Sequence, residues 1–284
     1  MRKHKPIKSL TAARKQAQKV RNTLYGIEHR NCSRKIDLKT TDSYFEERAV
    51  LGEKADNCSS YRVNRTYAQY NTFFSQGLSA FFKRPTTVMS ALEYAAKNRP
   101  NKNRPFTILE DGAGMGIALA EITQTLRAKG IPTHSIALTL SDSHTLREAQ
   151  KQGKISEIKE QEAEDFVPRR AVNAIISYAG SITHVLNEVK KDHLLKMAYC
   201  LDRGGIMIAS FHRSSIPAKG KLLAQDPKKY LEGIAQAFRK RGFRAVVVLN
   251  KINWKRNVKT KKIEINSDQG ATAHSHMLIL QRIK

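Results

Sequence analysis

One run constrains this chain more than any other. Glu110-Asp111-Gly112-Ala113-Gly114-Met115-Gly116 lies between a strand-length apolar segment, 106–109, and an amphipathic helix-length segment, 117–129. A strand that passes through three closely spaced glycines into a helix must turn sharply. Glycine tolerates the left-handed backbone such a turn needs, and it lets a ligand approach without Cβ atoms in the way. The start of the following helix presents free N–H groups to that loop. The third glycine follows the second by two positions, which breaks the G-x-G-x-x-G spacing of a dinucleotide loop. Glu110 at the strand end would repel a diphosphate, and it suits a ligand carrying a cationic amino-acid head.

The rest of the chain extends the same pattern. Apolar runs at 135–140, 155–159, 172–177 and 206–211 read as strands. Helical spacing fits 143–152, 189–201 and 230–241, with glycines and a proline as stops. Strand–helix alternation at this spacing predicts a doubly wound, mostly parallel sheet. The last two strands, 243–250 and 276–283, are joined by a polar, basic stretch with no convincing helix. A hairpin is the natural connection there, so one C-terminal strand is expected to run antiparallel. Upstream, Tyr67, Tyr70, Phe73, Phe74, Leu78, Phe81 and Phe82 recur at helical spacing, and a linker with two prolines follows at 99–105. A helix is expected over 11–24. The organisation expected is a basic N-terminal extension over 1–60, a helical cap over 61–104 and a ligand-binding domain over 105–284.

Charge enters through its distribution. The chain has 51 Lys and Arg against 25 Asp and Glu, a net charge of +26. Residues 1–104 hold 22 basic and 8 acidic side chains, residues 105–213 hold 13 of each, and residues 214–284 hold 16 and 4. A neutral core with basic flanks raises the local concentration of anionic partners such as nucleic acid or acidic lipid, though a Lys-rich, solvated surface gives the same balance. In the C-terminal flank Trp254 stands beside Lys255 and Arg256, and interleaved cations and an aromatic suit single-stranded nucleic acid. Residues 1–24 carry eight Lys or Arg and no acid, a composition shared by transit peptides, nucleic-acid arms and disordered tails. Cys32, Cys58 and Cys200 are sparse and form no CxxC pair, which predicts a reduced, cytoplasmic setting and no thiolate metal site. No stretch has the length and apolarity of a membrane span.

Residues 108–116, Ile-Leu-Glu-Asp-Gly-Ala-Gly-Met-Gly, resemble the first motif of class I, Rossmann-fold S-adenosylmethionine-dependent methyltransferases. Later motifs arrive in the family's order. Residues 161–166 resemble its third motif, residues 173–180 its fourth, and residues 201–208 its glycine turn into strand five. The resemblance covers about residues 105–284. It implies a Rossmann-like fold of methyltransferase type with S-adenosyl-L-methionine as cofactor. It assigns cofactor contacts to Glu110, Gly112, Ala113, Gly114 and Gly116, to Glu162 and Ala163 beside the adenine, and to Ser177. The family usually closes strand two with an acid for the ribose; here that register reads Thr139-Leu140-Ser141, with Asp142 three places on.

The acceptor is narrowed by what is missing. After strand four the chain reads Ser177-Tyr178-Ala179-Gly180, without the Asn/Asp-Pro-Pro-aromatic tetrapeptide that holds an exocyclic base amine, and no Pro-Cys nucleophile is present for pyrimidine ring carbons. Ribose hydroxyls, protein side chains, lipids and small molecules remain. Methyl transfer needs a base only if the nucleophile arrives protonated. His184 and Tyr178 are the catalytic candidates; Tyr67, Tyr70, Phe74 and His212 are the candidates for the acceptor pocket. Each also fits a plainer role: Tyr178 as a wall residue, His184 as a loop cap, His212 at the surface, the aromatics as a packed helix face. Two other readings stay open: a non-catalytic nucleic-acid-binding protein on the same scaffold, and a lipid-modifying enzyme like the cyclopropane synthases. The latter is suggested by Thr139-Leu140-Ser141, but this chain has Thr183 before His184 where that branch has Glu.

Overall fold

The computed structural model describes residues 8–33, 66–140, 144–178, 187–212, 227–256, 263–265 and 271–283. The chain begins with helix α1 (Lys8–Ser33), longer than the 11–24 segment expected. Helices α2 (Tyr67–Phe82) and α3 (Val88–Lys97) follow. Each is started by a capping box, in which a threonine accepts from a backbone N–H three residues on and that residue's side chain returns the bond: Thr66 with Gln69, and Thr87 with Ser90.

The alternating part runs β1 (Phe106–Asp111), α4 (Ile117–Ala128), β2 (Thr133–Thr139), α5 (His144–Lys151), β3 (Glu157–Glu160), β4 (Val172–Ser177), α6 (Asn187–Cys200), β5 (Leu201–His212) and α7 (Pro227–Arg239). Three strands complete it: β6 (Phe243–Arg256), β7 (Ile263–Ile265) and β8 (Ala271–Arg282). They form one eight-stranded sheet in the order β3-β2-β1-β4-β5-β8-β6-β7. Strands β1 to β5 are mutually parallel, and β8 runs antiparallel to both β5 and β6. The expected doubly wound sheet with an antiparallel C-terminal strand is therefore the one observed. Its final strands are longer than expected, and β7 occupies part of the connection between them. Strand β5 begins at Leu201, not at residue 206, because Leu201 already pairs with Val172 before a register shift leads to Ala174 and Ile206.

Successive strand residues point to opposite faces, and each face is covered. On one, Ile108, Ala174, Ile176, Met277 and Ile279 pack with α2, α3 and α4; on the other, Leu109, Ile175, Leu278 and Leu280 pack with α6 and α7. Each fully buried Leu, Ile or Phe contributes about 1.5–3 kcal/mol, so both layers are needed to hold the sheet. Gly77 of α2 lies so near β8 that a Cβ there would sit 2.7 Å from Met277 Cε.

Helix α1 packs along α6. It presents Leu10, Ala13, Ala17 and Val20, a narrow stripe of mostly small residues, and all four are buried. Its polar margin is tied down as well: Lys19 Nζ lies 2.7 Å from Asp192, Gln16 donates to Asp192 at 3.2 Å, and Arg21 Nε bonds Asp165 at 3.0 Å. The basic N-terminal segment thus includes a helix packed along α6 on one face of the sheet. Among the described residues no helix is long and apolar enough to cross a membrane.

Candidate functional site

The sheet reverses its order between β1 and β4, since β2 and β3 lie on one side of β1 and β4 and β5 on the other. In open α/β sheets the crevice beyond the strand ends at that switch is where ligands bind. The glycine run leaves β1 at this point. Gly112, Gly114 and Gly116 have φ of 72°, 55° and 69°, the left-handed region that side-chain-bearing residues avoid. The loop is pinned from below: the N–H groups of Gly112 and Ala113 both donate to the Leu138 carbonyl at 3.0 Å, and Gly116 N–H donates to Ala113 at 2.9 Å.

The glycines do different work. A Cβ on Gly116 would run into the Leu146 side chain and lie 2.8 Å from Ile155 Cδ1, so this position allows α4 to approach α5. A Cβ on Gly114 would meet nothing within 4 Å, so this glycine borders open space. Gly116 is also the N-cap of α4 and supplies no side-chain cap.

The two acids before the loop diverge. Glu110 follows Leu109 on the strand and shares the face of Ile108, the α2 side. The Tyr70 hydroxyl of α2 donates to its carboxylate, and Glu110 is 1% exposed. Asp111 points to the opposite face, where the Ser177 hydroxyl donates to its Oδ2 at 2.9 Å. Both Asp111 and Ser177 are fully buried, so Ser177, assigned to the cofactor by resemblance, has its hydroxyl committed to Asp111.

The remaining segments converge on the same edge. Thr139, buried, ends β2, and its carbonyl accepts from Gln161 N–H at 3.0 Å. Leu140 follows it, partly buried. The third-motif residues form a tight turn: the Glu162 carbonyl accepts from Asp165 and Phe166 N–H, each at 3.1 Å. Ala163 is buried, and its carbonyl accepts from Lys196 Nζ, which rises from α6. Lys196 is completely enclosed. Burial pushes its ammonium below the usual lysine range, while the nearby Cys200, Glu164, Asp111 and Asp165 oppose that shift. This buried lysine ties α6 to the turn at Ala163, and nothing in the linear pattern of α6 pointed to it.

The aromatic cap closes over β4. Tyr178 packs edge-on to Phe73, ring centres 4.5 Å apart, and lies 5.1 Å from Tyr70 and 5.8 Å from Phe74. Tyr70 and Phe74 are buried, and Phe74 is part of the core on that face. Tyr67 is partly buried, and its N–H donates to Glu121 at 2.6 Å. Two of the α2 residues read as acceptor candidates, Tyr70 and Phe74, thus lie against Tyr178. Phe73, not among them, makes the shortest ring contact; it belongs to the same helical stripe and could have been read from it. His212 is the last residue of β5, opposite Ser275 of β8. His184 lies outside the described residues.

The strand order, the reversed final strand and the glycine loop at the switch point go together. The chain has a doubly wound, Rossmann-like fold of the type that the sequence resemblance implied. No family model matches the sequence, and no curated protein does. Several solved structures are similar in shape. A plantazolicin methyltransferase, BpumL, in complex with a triazolic desmethylPZN analog and SAH, aligns at TM-score 0.46 and 14% identity over 87% of this chain and 100% of that one. An rRNA methylase from Streptococcus thermophilus aligns at 0.40 and 13% over 68% and 95%. A TehB-like SAM-dependent methyltransferase from Corynebacterium glutamicum aligns at 0.40 and 10% over 76% and 99%.

Proposed function

We propose that this protein binds S-adenosyl-L-methionine and transfers its methyl group to an acceptor presented at the C-terminal edge of the sheet. The observation that carries the reading is the loop at the switch point. Three left-handed glycines follow a carboxylate, and the Gly114 position opens onto free space. That arrangement admits a nucleoside with a cationic amino-acid tail and disfavours a diphosphate.

In this reading the backbone of Gly112, Ala113 and Gly114 lines the amino-acid part of the ligand. Glu110 faces the ligand's ammonium and shares its carboxylate with the Tyr70 hydroxyl. Thr139 and Leu140 border the ribose, and the turn at Glu162 and Ala163 borders the adenine. When bound, the cofactor supplies a sulfonium methyl activated for in-line displacement. The chain's own part is to align the nucleophile and keep water out. Tyr178 and the α2 rings around it wall the acceptor side, and His184 is the proposed base for a nucleophile that arrives protonated.

Calorimetric titration with S-adenosylmethionine and S-adenosylhomocysteine tests the reading. We expect one site per chain, with binding weakened by Glu110→Gln and by a side chain at Gly114. Absence of heat with both ligands would overturn it and favour a non-catalytic use of the scaffold. For His184→Ala the expected result is slower turnover at nearly unchanged cofactor affinity.

A further inference from the structure

Strand β5 ends at His212, paired with Ser275 of β8. Strands β8 and β6 do not end there. They continue as a two-stranded ribbon, pairing Lys251 with His274, Ile252 with Ala273, Asn253 with Thr272 and Trp254 with Ala271. Strand β7 then joins the far end, pairing Ile265 with Trp254, Glu264 with Lys255 and Ile263 with Arg256. Because β6 runs parallel to β5, this arm projects past the C-terminal edge of the parallel strands, the edge where the glycine loop lies. Strands are about 4.8 Å apart. The ribbon begins three strands from β1, so it stands roughly 15 Å from the glycine loop, a span of a few nucleotides.

Val246 and Val248 pack on the α2 side of the sheet. Glu264 is the cross-strand partner of Lys255. The stretch 251–256 holds three cations and no acid, within a C-terminal flank of 16 basic and 4 acidic residues.

We infer that the β6–β8 arm is the docking surface for a single-stranded RNA acceptor, bound by its phosphates at Lys251, Lys255 and Arg256 and by base stacking at Trp254. Cations bordering an aromatic on an extended ribbon are the combination that holds single strands, with stacking supplied by the ring and affinity by the phosphates. A neutral core between basic flanks gives the charge complementarity. This inference names the acceptor class for the methyl-transfer reading and rests on it. RNA binding can nevertheless be measured without cofactor.

The test is fluorescence anisotropy of the full-length protein with a short mixed-sequence single-stranded RNA over a series of salt concentrations. Two variants are compared, Trp254→Ala and Lys251→Ser/Lys255→Ser/Arg256→Ser, with S-adenosylmethionine calorimetry run on each. The expected result is tight binding that weakens with salt. Trp254→Ala should lose about 5- to 100-fold in affinity. The triple variant should lower the log–log salt slope by roughly 2, since each single-strand phosphate contact contributes about 0.7. Both variants should keep the cofactor affinity of the parent. Variants that bind RNA like the parent would overturn the proposal, as would a parent that binds anionic phosphatidylserine vesicles or an acidic peptide but not RNA. Should a variant fail to fold, photocrosslinking of the parent to 4-thiouridine RNA still decides: crosslinks must map to 250–256, and crosslinks confined to the N-terminal flank overturn it. Lack of cofactor binding with intact RNA binding would instead reject the methyl-transfer reading alone.

Discussion

The hydroxyl of Ser177 donates to Oδ2 of Asp111 across 2.9 Å, tying the end of β4 to the end of β1 on the face turned away from Tyr70. Its neighbour Glu110 faces α2. Two adjacent acids therefore have separate partners, Ser177 of β4 for Asp111 and the Tyr70 hydroxyl of α2 for Glu110; in the proposed function only Glu110 meets the cofactor. A hydrogen bond to a charged group contributes about 1.5–3 kcal/mol. Ser177→Ala should destabilise the fold by that amount and change cofactor affinity little, whereas Glu110→Gln should weaken cofactor binding roughly 10-fold or more. Thermal melts and calorimetry on the two variants check the division. Equal effects of both substitutions on both readouts would contradict it.

The glycines separate in the same way. Gly116→Ala places a methyl against Leu146 and Ile155 at a left-handed φ, so steric conflict adds to backbone strain of about 1–2 kcal/mol. Gly114→Ala meets open space and bears only the strain. The expected outcome is that Gly116→Ala lowers the melting temperature more, while Gly114→Ala folds and binds cofactor more weakly because its Cβ projects into the ligand's space. The ratio of affinity loss to stability loss, from calorimetry and melts, is the measurement.

Lys196 is enclosed with its Nζ on the Ala163 carbonyl, and the charges of Glu164 and Asp111 oppose the lowering of its ammonium by burial. Removing one member of a buried charged group leaves the others uncompensated, at a cost of about 3–5 kcal/mol. Lys196→Met should fall in that range. Lys196→Arg keeps the charge and should recover part of the stability. Hydrogen exchange should show faster opening of Asp165 and Phe166, whose N–H groups close that turn. Denaturant melts with exchange on both variants check this, and a methionine variant as stable as the parent would argue against the network.

Much of this site was legible in the sequence because it is local. The glycine spacing, the acid before it and the strand and helix on either side all lie within 106–129, and their periodicities are strong. The alternation that follows identified the parallel sheet for the same reason. What escaped depends on contacts distant in sequence. Lys190, His193 and Lys196 are polar residues of the helix expected over 189–201, yet all three are buried, in a helix along which α1 is laid. The α1 stripe itself is mostly alanine, which gives weak periodicity. The early start of β5 follows from the pairing of Leu201 with Val172, which no local pattern marks. That Glu110 and Asp111 face opposite layers follows from strand alternation, but that Ser177 meets Asp111 needs the β1–β4 pairing.

Cys200 gives a prediction whose sign is fixed by its surroundings. Burial pushes its thiol up from 9.0 to about 12, with the Lys196 charge opposing the shift. The thiol donates to the Lys196 carbonyl at 3.3 Å. The thiolate is the nucleophile, so Cys200 should resist iodoacetamide in the native protein and react once unfolded, as peptide mass spectrometry will show. A folded pKa above the unfolded one means that the unfolded chain releases this proton first as pH rises. The Cys200 contribution to stability is therefore complete below pH 9.0 and is lost progressively as the pH approaches about 12. Lys196 acts in the opposite sense, because its folded value lies below 10.5 and its contribution improves as pH climbs toward that value. Cys200→Ala removes only the falling component. Above pH 9 its melting temperature should decline less steeply than that of the parent, and parallel curves for the two proteins would show that Cys200 is not held as a protonated thiol.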